Sequence, residues 1–224
     1  MIARACHVAP GPLARIIAPF TLAAALAVAA SAAQAAPLIG FTESWSGTSL
    51  GGWDGGSDLS NPGSGGIGGA GDGFLLISTP FATHLGARCM SSEYQGDWLA
   101  SGVTKVVLWL NDVNGADPLE IHFAIGNATN FWQYNTGFKP PSNAWEQYSV
   151  DLTSEANFTR IIGQGTFAAA LQHVDRIHLR HDLAPYVQSP DPIQGDVGLD
   201  GLTLTNDAVP VSMVSWGRLK SIYR

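Results

Sequence analysis

The sequence predicts an all-β chain: an antiparallel β-sandwich of the jelly-roll kind, between a flexible N-terminal signal segment and a short C-terminal tail. Three observations predict it. Apolar residues recur with a period of two in one segment after another, as half-buried strands require. Gly, Pro, Asn and Asp interrupt every interval between those segments. No strand pattern alternates with a helical one, which removes the parallel α/β folds.

The elements follow in chain order. Arg4 and Arg15 precede an uncharged apolar run from Ile16 to Ala30, the n-region and h-region of a signal peptide. Ala33 and Ala35 supply the small residues of a cleavage site, so residues 1–35 are expected to leave and residues 36–207 to form one domain outside the cytoplasm or at the cell surface. The run falls short of the roughly 18–20 apolar residues of a membrane span, so no stable insertion of the mature chain is expected. From Gly51 to Gly73, 11 of 23 positions are Gly, and backbone entropy predicts one long loop there. Val103–Leu110 is apolar on both faces, as in a central strand. Leu119, Ile121, Phe123 and Ile125 alternate with a polar or small set. Tyr148, Val150 and Leu152 do the same, as do Ile177 with Leu179 and Leu202 with Leu204. Only Glu155–Leu171 has room for a helix of any length, and Gly163 and Gly165 weaken it. Residues 208–224 form a tail that turns basic, with Arg218, Lys220 and Arg224, and spaces Trp216, Leu219, Ile222 and Tyr223 as a helix would. It resembles short basic-aromatic tails of secreted bacterial proteins and is expected to be a separable address or attachment element; packing on its own acidic body is the alternative.

Charge and cysteine usage narrow the function. The first 35 residues hold two of the 11 basic residues and none of the 18 acidic ones, so the remainder is strongly acidic and nucleic acid is excluded as a partner. Cys6 leaves with the signal and Cys89 stays alone, which rules out an intramolecular disulfide and marks Cys89 as a small buried hydrophobe.

Three landmarks recur in a familiar order: Phe41-Thr42-Glu43-Ser44-Trp45 followed by Gly52-Trp53, then Trp145-Glu146-Gln147-Tyr148-Ser149-Val150-Asp151-Leu152, then Gly198-Leu199-Asp200-Gly201-Leu202-Thr203-Leu204. The order resembles the laminin B (domain IV)-like and galactose-binding-like jelly-roll modules of secreted bacterial proteins over residues 38–207. Gly201 stands where that family has Asn, and the family's hydrophobic sorting anchor has no counterpart here. In related carbohydrate-binding jelly rolls, acidic residues on the first and last strands share a structural calcium. The resemblance places such an ion on Glu43 and Asp200, with Asp196 and backbone carbonyls completing its shell; the other reading is that Asp200 caps a turn and Glu43 is solvated.

Two groups of residues are candidates for ligand contact. Trp132 and Tyr134 share one strand parity within an amide-rich segment, a composition suited to the apolar faces and hydroxyl rims of pyranose rings. Arg176, His178 and Arg180 share the opposite kind of face, a polar platform for hydroxyls or carboxylates or merely a solvated one. Trp45, Trp53, Trp109 and Trp145 are assigned to the core. The chain has no Gly-x-Ser-x-Gly elbow and no His-Glu-x-x-His, and no catalytic residue is assigned; Glu120 beside His122 is the first suspect if a glycoside-cleaving pair exists. The expected function is a secreted, non-catalytic module that binds carbohydrate or another cell-surface polymer. An extracellular structural or adhesive protein, and a glycosidase or lyase, are the alternatives.

Overall fold

The structure, a computed structural model, describes residues 37–115 and 117–206. The signal segment and the tail therefore lie outside the described residues. Contacts divide the chain into Met1–Ala33 and Gln34–Arg224, and the fold is that of the second unit.

Among the described residues twelve strands run in chain order: β1 (Thr42–Glu43), β2 (Trp53–Asp54), β3 (Asp58–Ser60), β4 (Leu75–His84), β5 (Gly86–Cys89), β6 (Lys105–Asp112), β7 (Ile121–Asn127), β8 (Asn130–Tyr134), β9 (Glu146–Asp151), β10 (Phe158–Gly163), β11 (Arg176–His181) and β12 (Pro192–Thr205). Two short helices, α1 (Trp98–Ser101) and α2 (Phe167–Gln172), are capped by the side chains of Asp97 and Thr166, each accepting from a backbone N–H of the first turn. The first sheet has the order β3-β4-β12-β6-β9, with β1 also on β12; the second has β10-β8-β7-β11-β5-β2. All of these strand pairs are antiparallel, and the fold is a β-sandwich of the jelly-roll kind.

The period of two becomes the core. Leu75 and Ile77 of β4, Val106, Leu108 and Leu110 of β6, and Val197 and Leu199 of β12 are buried from one side. Phe123 and Ile125 of β7, Ile177 and Leu179 of β11, and Ala87 and Cys89 of β5 meet them from the other. Each fully buried Leu, Ile or Phe contributes about 1.5–3 kcal/mol, so the sheets hold each other without a disulfide. Cys89 is wholly buried, and burial raises its thiol pKa, which leaves it inert as a nucleophile.

Three features depart from the sequence expectation. The expected helix over 155–171 is a single 3-10 turn (Glu155–Asn157), then strand β10, then α2 after the break at Gly163 and Gly165. Phe158-Thr159-Arg160 reads equally as a strand, and pairing with Tyr134, Gln133 and Trp132 decides it. The glycine-rich stretch contains β2 and β3, which join sheet edges through backbone hydrogen bonds that no side-chain pattern announces. β12 starts at Pro192, well before the alternating Leu202 and Leu204 by which the sequence marks it. β4 passes through Pro80 where its register against β12 shifts between Ile193 and Gly195, a site that tolerates a missing N–H.

Candidate functional site

Trp132 and Tyr134 do share a face, but it is the inner one, and the expected sugar platform is corrected. They are 6% and 9% exposed and belong to the core. Trp132 pairs with Ile125, whose side chain points between the sheets, and parity sends Trp132 the same way. Its ring meets Phe167 of α2 at 5.6 Å and its Nε1 donates to Asn130 Oδ1 at 2.8 Å, while Tyr134 packs against Phe138 and Phe158. Neither ring offers a face to a ligand. Trp45 and Trp53 are core as expected, whereas Trp109 and Trp145 are only partly buried. Trp145 holds the glycine-rich loop by donating to the Gly65 carbonyl at 2.9 Å.

Arg176, His178 and Arg180 do lie together, on the outer face of the second sheet. Register places Asp54, Arg88, His178, Ala124 and Gln133 in one row across β2, β5, β11, β7 and β8, with Arg180 opposite Gly86 and His122 in an adjoining row. Arg176 lies over the Phe131 ring at 5.0 Å, and His178 sits 4.6 Å from the same ring. Burial, reinforced by Arg176, Arg180 and Arg88, pushes the His178 pKa down to about 3, so it is a neutral imidazole.

Arg180 has a different role from the one expected. It is 7% exposed and four of its five guanidinium N–H donors are engaged. It donates to Gln133 Oε1 at 2.7 Å, to the Gln188 carbonyl at 2.9 Å, to the Val187 carbonyl and to Asp182, which is 1% exposed. The two bonds to the Val187 and Gln188 carbonyls pin the segment 183–190 as a strap across the outer face. Tyr186 secures the strap farther along, its hydroxyl donating to the Asn135 carbonyl at 3.0 Å and its ring lying 4.8 Å from His122. Arg180 is thus a structural clamp, with four of its five N–H donors engaged by the protein itself.

Beside the strap is a pocket of about 350 Å³ whose lining includes Gly55, Gly86, Arg88, His178, Gln188 and Pro190. The glycines keep its floor low: a Cβ on Gly86 would come within 2.8 Å of the Leu179 carbonyl. Arg88 is half-exposed and its Nε donates to Asp54 Oδ1 at 2.6 Å. Arg88, Asp54 and Gln188 were not legible as site residues, because neither a local motif nor their spacing joins three distant loops and strands.

Glu120 lines a second cavity of about 480 Å³, together with Asp117, Lys139, His181 and Leu183. Its carboxylate stands 3.4 Å from Lys139 Nζ and 3.5 Å from His122 Nε2. His181 Nδ1 accepts from the Glu120 N–H at 3.1 Å, so that imidazole is tied to the backbone.

The residues assigned to calcium are not brought together. The first and last strands are neighbours, with Thr42 opposite Thr203 and Glu43 opposite Leu202. Leu202 faces the core, so Glu43 points inward beside Tyr94, whose hydroxyl donates to it at 3.5 Å, and burial raises its pKa. Asp200 lies on the other face, since Leu199 next to it is in the core. Asp200 accepts from Ile67 N–H at 2.9 Å and Gly201 N–H at 2.7 Å, and burial raises its pKa against those two bonds. Asp196 is four residues along β12, opposite Ser78 of β4, while Asp112 of β6 stands opposite its neighbour Val197. Among the described residues no group of three or more His, Cys, Asp or Glu could hold a metal ion. The donor set does not fit the ion the resemblance implies, because a bulge at Gly201 reverses strand parity between Asp200 and Leu202.

No family model matches the sequence, and no curated protein is significantly similar to it. Solved structures are similar in fold. The solution structure of CtCBM11 aligns over 75% of this chain and 96% of its own, with a TM-score of 0.50 and 19% identity. A family 11 carbohydrate-binding module from Clostridium thermocellum, in complex with a β-1,3-1,4-mixed-linked tetrasaccharide, aligns over 75% and 96% at 18% identity and a TM-score of 0.48. An exo-β-agarase aligns over 78% of this chain but 26% of its own length, with a TM-score of 0.55 and 10% identity. At these identities the likeness shows the jelly-roll fold.

Proposed function

We propose that this chain is a secreted, non-catalytic carbohydrate-binding module whose ligand face is the outer face of the second sheet. The observation that carries this reading is the pocket between the Gly55–Gly56 loop and the strap, open to solvent on a face where Arg88, His178 and Gln188 present polar groups over a glycine floor. The fold shared with CtCBM11 supports the same reading, and the laminin B (domain IV)-like resemblance remains part of it. Export rests on residues 1–35 and the addressing role on residues 208–224, both read from sequence.

Affinity electrophoresis of the purified protein through gels containing a panel of soluble polysaccharides tests the reading. Retardation by at least one polysaccharide is expected. Gly56 has no heavy atom within 4 Å of an added Cβ and an unstrained backbone, so Gly56→Trp fills the pocket mouth without disturbing the fold. That variant should migrate unretarded and melt like the parent. Retardation that survives it removes the pocket from the proposal, and incubation with the panel should release no reducing ends.

A further inference from the structure

The pocket's lining contains Arg88, Arg180, His84 and His178 and no carboxylate, in a chain with 18 acidic residues against 11 basic ones. It also contains no Trp, Tyr or Phe, so a sugar ring finds no aromatic face to stack on. Recognition there must come from polar contacts. Arg180 is largely committed within the protein, to Gln133, Asp182 and the Val187 and Gln188 carbonyls. Arg88 is not: Asp54 engages only its Nε edge, and among the described residues its two terminal nitrogens have no hydrogen-bond partner. A guanidinium presents paired donors that match the two oxygens of a carboxylate or sulfate. His178, next to Arg88 across the β5–β11 pairing, carries a buried Nε2 without a partner.

Resting on the carbohydrate-binding reading, we infer that this pocket selects an anionic sugar unit, carrying a carboxylate or a sulfate, with Arg88 as the residue that grips the charged group. Asp54 is the internal competitor. Its exposed carboxylate holds Arg88 in place in the free protein and is weakened as a partner when the ligand's anion arrives. The pocket's volume of about 350 Å³ lies at the small end of the roughly 300–1,000 Å³ spanned by small-molecule sites, which suits one sugar unit of a chain and not a long stretch of it. The strap at Gln188–Pro190 walls the pocket on one side and Gly55–Gly56 on the other.

Titration calorimetry of the purified protein with oligogalacturonate, a sulfated galactan oligosaccharide and neutral xylohexaose tests the inference. One of the two acidic probes should bind, more weakly as salt rises, and which one binds identifies the anion. Arg88→Gln should lower that affinity by about tenfold or more, the loss of one bidentate charge-assisted pair, with an unchanged melting temperature. Asp54→Asn should raise it several-fold, a sign that a merely structural role for the ion pair does not produce. Binding of xylohexaose alone, or an affinity for every probe that Arg88→Gln leaves unchanged, overturns the anionic preference and leaves the carbohydrate-binding reading intact. If the polysaccharide panel and all three probes fail to bind, both fall.

Discussion

Arg180 shows how one side chain sets the limits of a binding face. Its partner Asp182 is almost wholly buried, and removing one member of such a pair strands the other's charge. Arg180→Met should therefore destabilise the domain by about 3–5 kcal/mol, a fall in Tm on the order of 10 °C for a domain of this size. Asp182→Asn should cost a comparable amount, since it leaves the Arg180 charge buried without its counter-ion. Trp132→Ala and Tyr134→Ala should behave as core truncations, losing about 3–5 kcal/mol for the tryptophan, because their rings fill space between the sheets. Thermal unfolding checks all four, and a tryptophan variant that melts like the parent would place that ring outside the core. His178 adds a pH dependence. Its folded pKa lies near 3, below the ordinary 6.5, so the unfolded chain binds a proton that the folded chain refuses. Its contribution to stability is complete above pH 6.5 and fades as pH falls toward 3; His181, lowered chiefly by burial, acts in the same direction. His178→Gln should flatten the decline of Tm between pH 6.5 and 4, and a difference from the parent that does not vary with pH would refute this account.

Among the elements, β12 organises the sandwich, since it pairs with β1, β4 and β6. Its bulge at Gly201 turns Asp200 to one face and Leu202 to the other, and φ at Gly201 is 55°. Asn is the residue after glycine that best tolerates this left-handed conformation. Gly201→Asn should cost less than Gly201→Val, whose branched Cβ would also press on Trp109 and Ile67, at 3.0 and 3.2 Å from an added Cβ. Urea unfolding of the two variants orders them, and equal losses would mean that crowding, not the dihedral, dominates. The strap is the other decisive element. It divides the outer face of the second sheet, leaving one cavity beside Arg88 and another beside Glu120.

At the scale of the whole molecule, an acidic body with a locally basic pocket favours ligands that reach the pocket without crossing long stretches of like charge. Deleting Ser215–Arg224 should leave Tm unchanged and alter where the protein accumulates; lost stability with unaltered location would make the tail part of the fold. Fold class was legible because the alternation of Phe123 with Ala124, or Ile177 with His178, is a local consequence of pleating and needs no partner to be read. The shared face of Arg176, His178 and Arg180 was legible for the same reason, and the burial of Cys89 because a lone cysteine behaves as a small hydrophobe. Parity fixes which residues travel together, but not which of the two faces is covered, so Trp132 and Tyr134 were grouped correctly and turned the wrong way. The short strands β2 and β3 were hidden because backbone bonds, not side chains, recruit them. The pocket was hidden because Arg88, His178 and Gln188 meet only after β5 and β11 pair and Arg180 draws the strap down. Sequence alone determined which residues could form strands and which had to share a face; tertiary structure decided which face met water, because that depends on what packs against it from elsewhere in the chain.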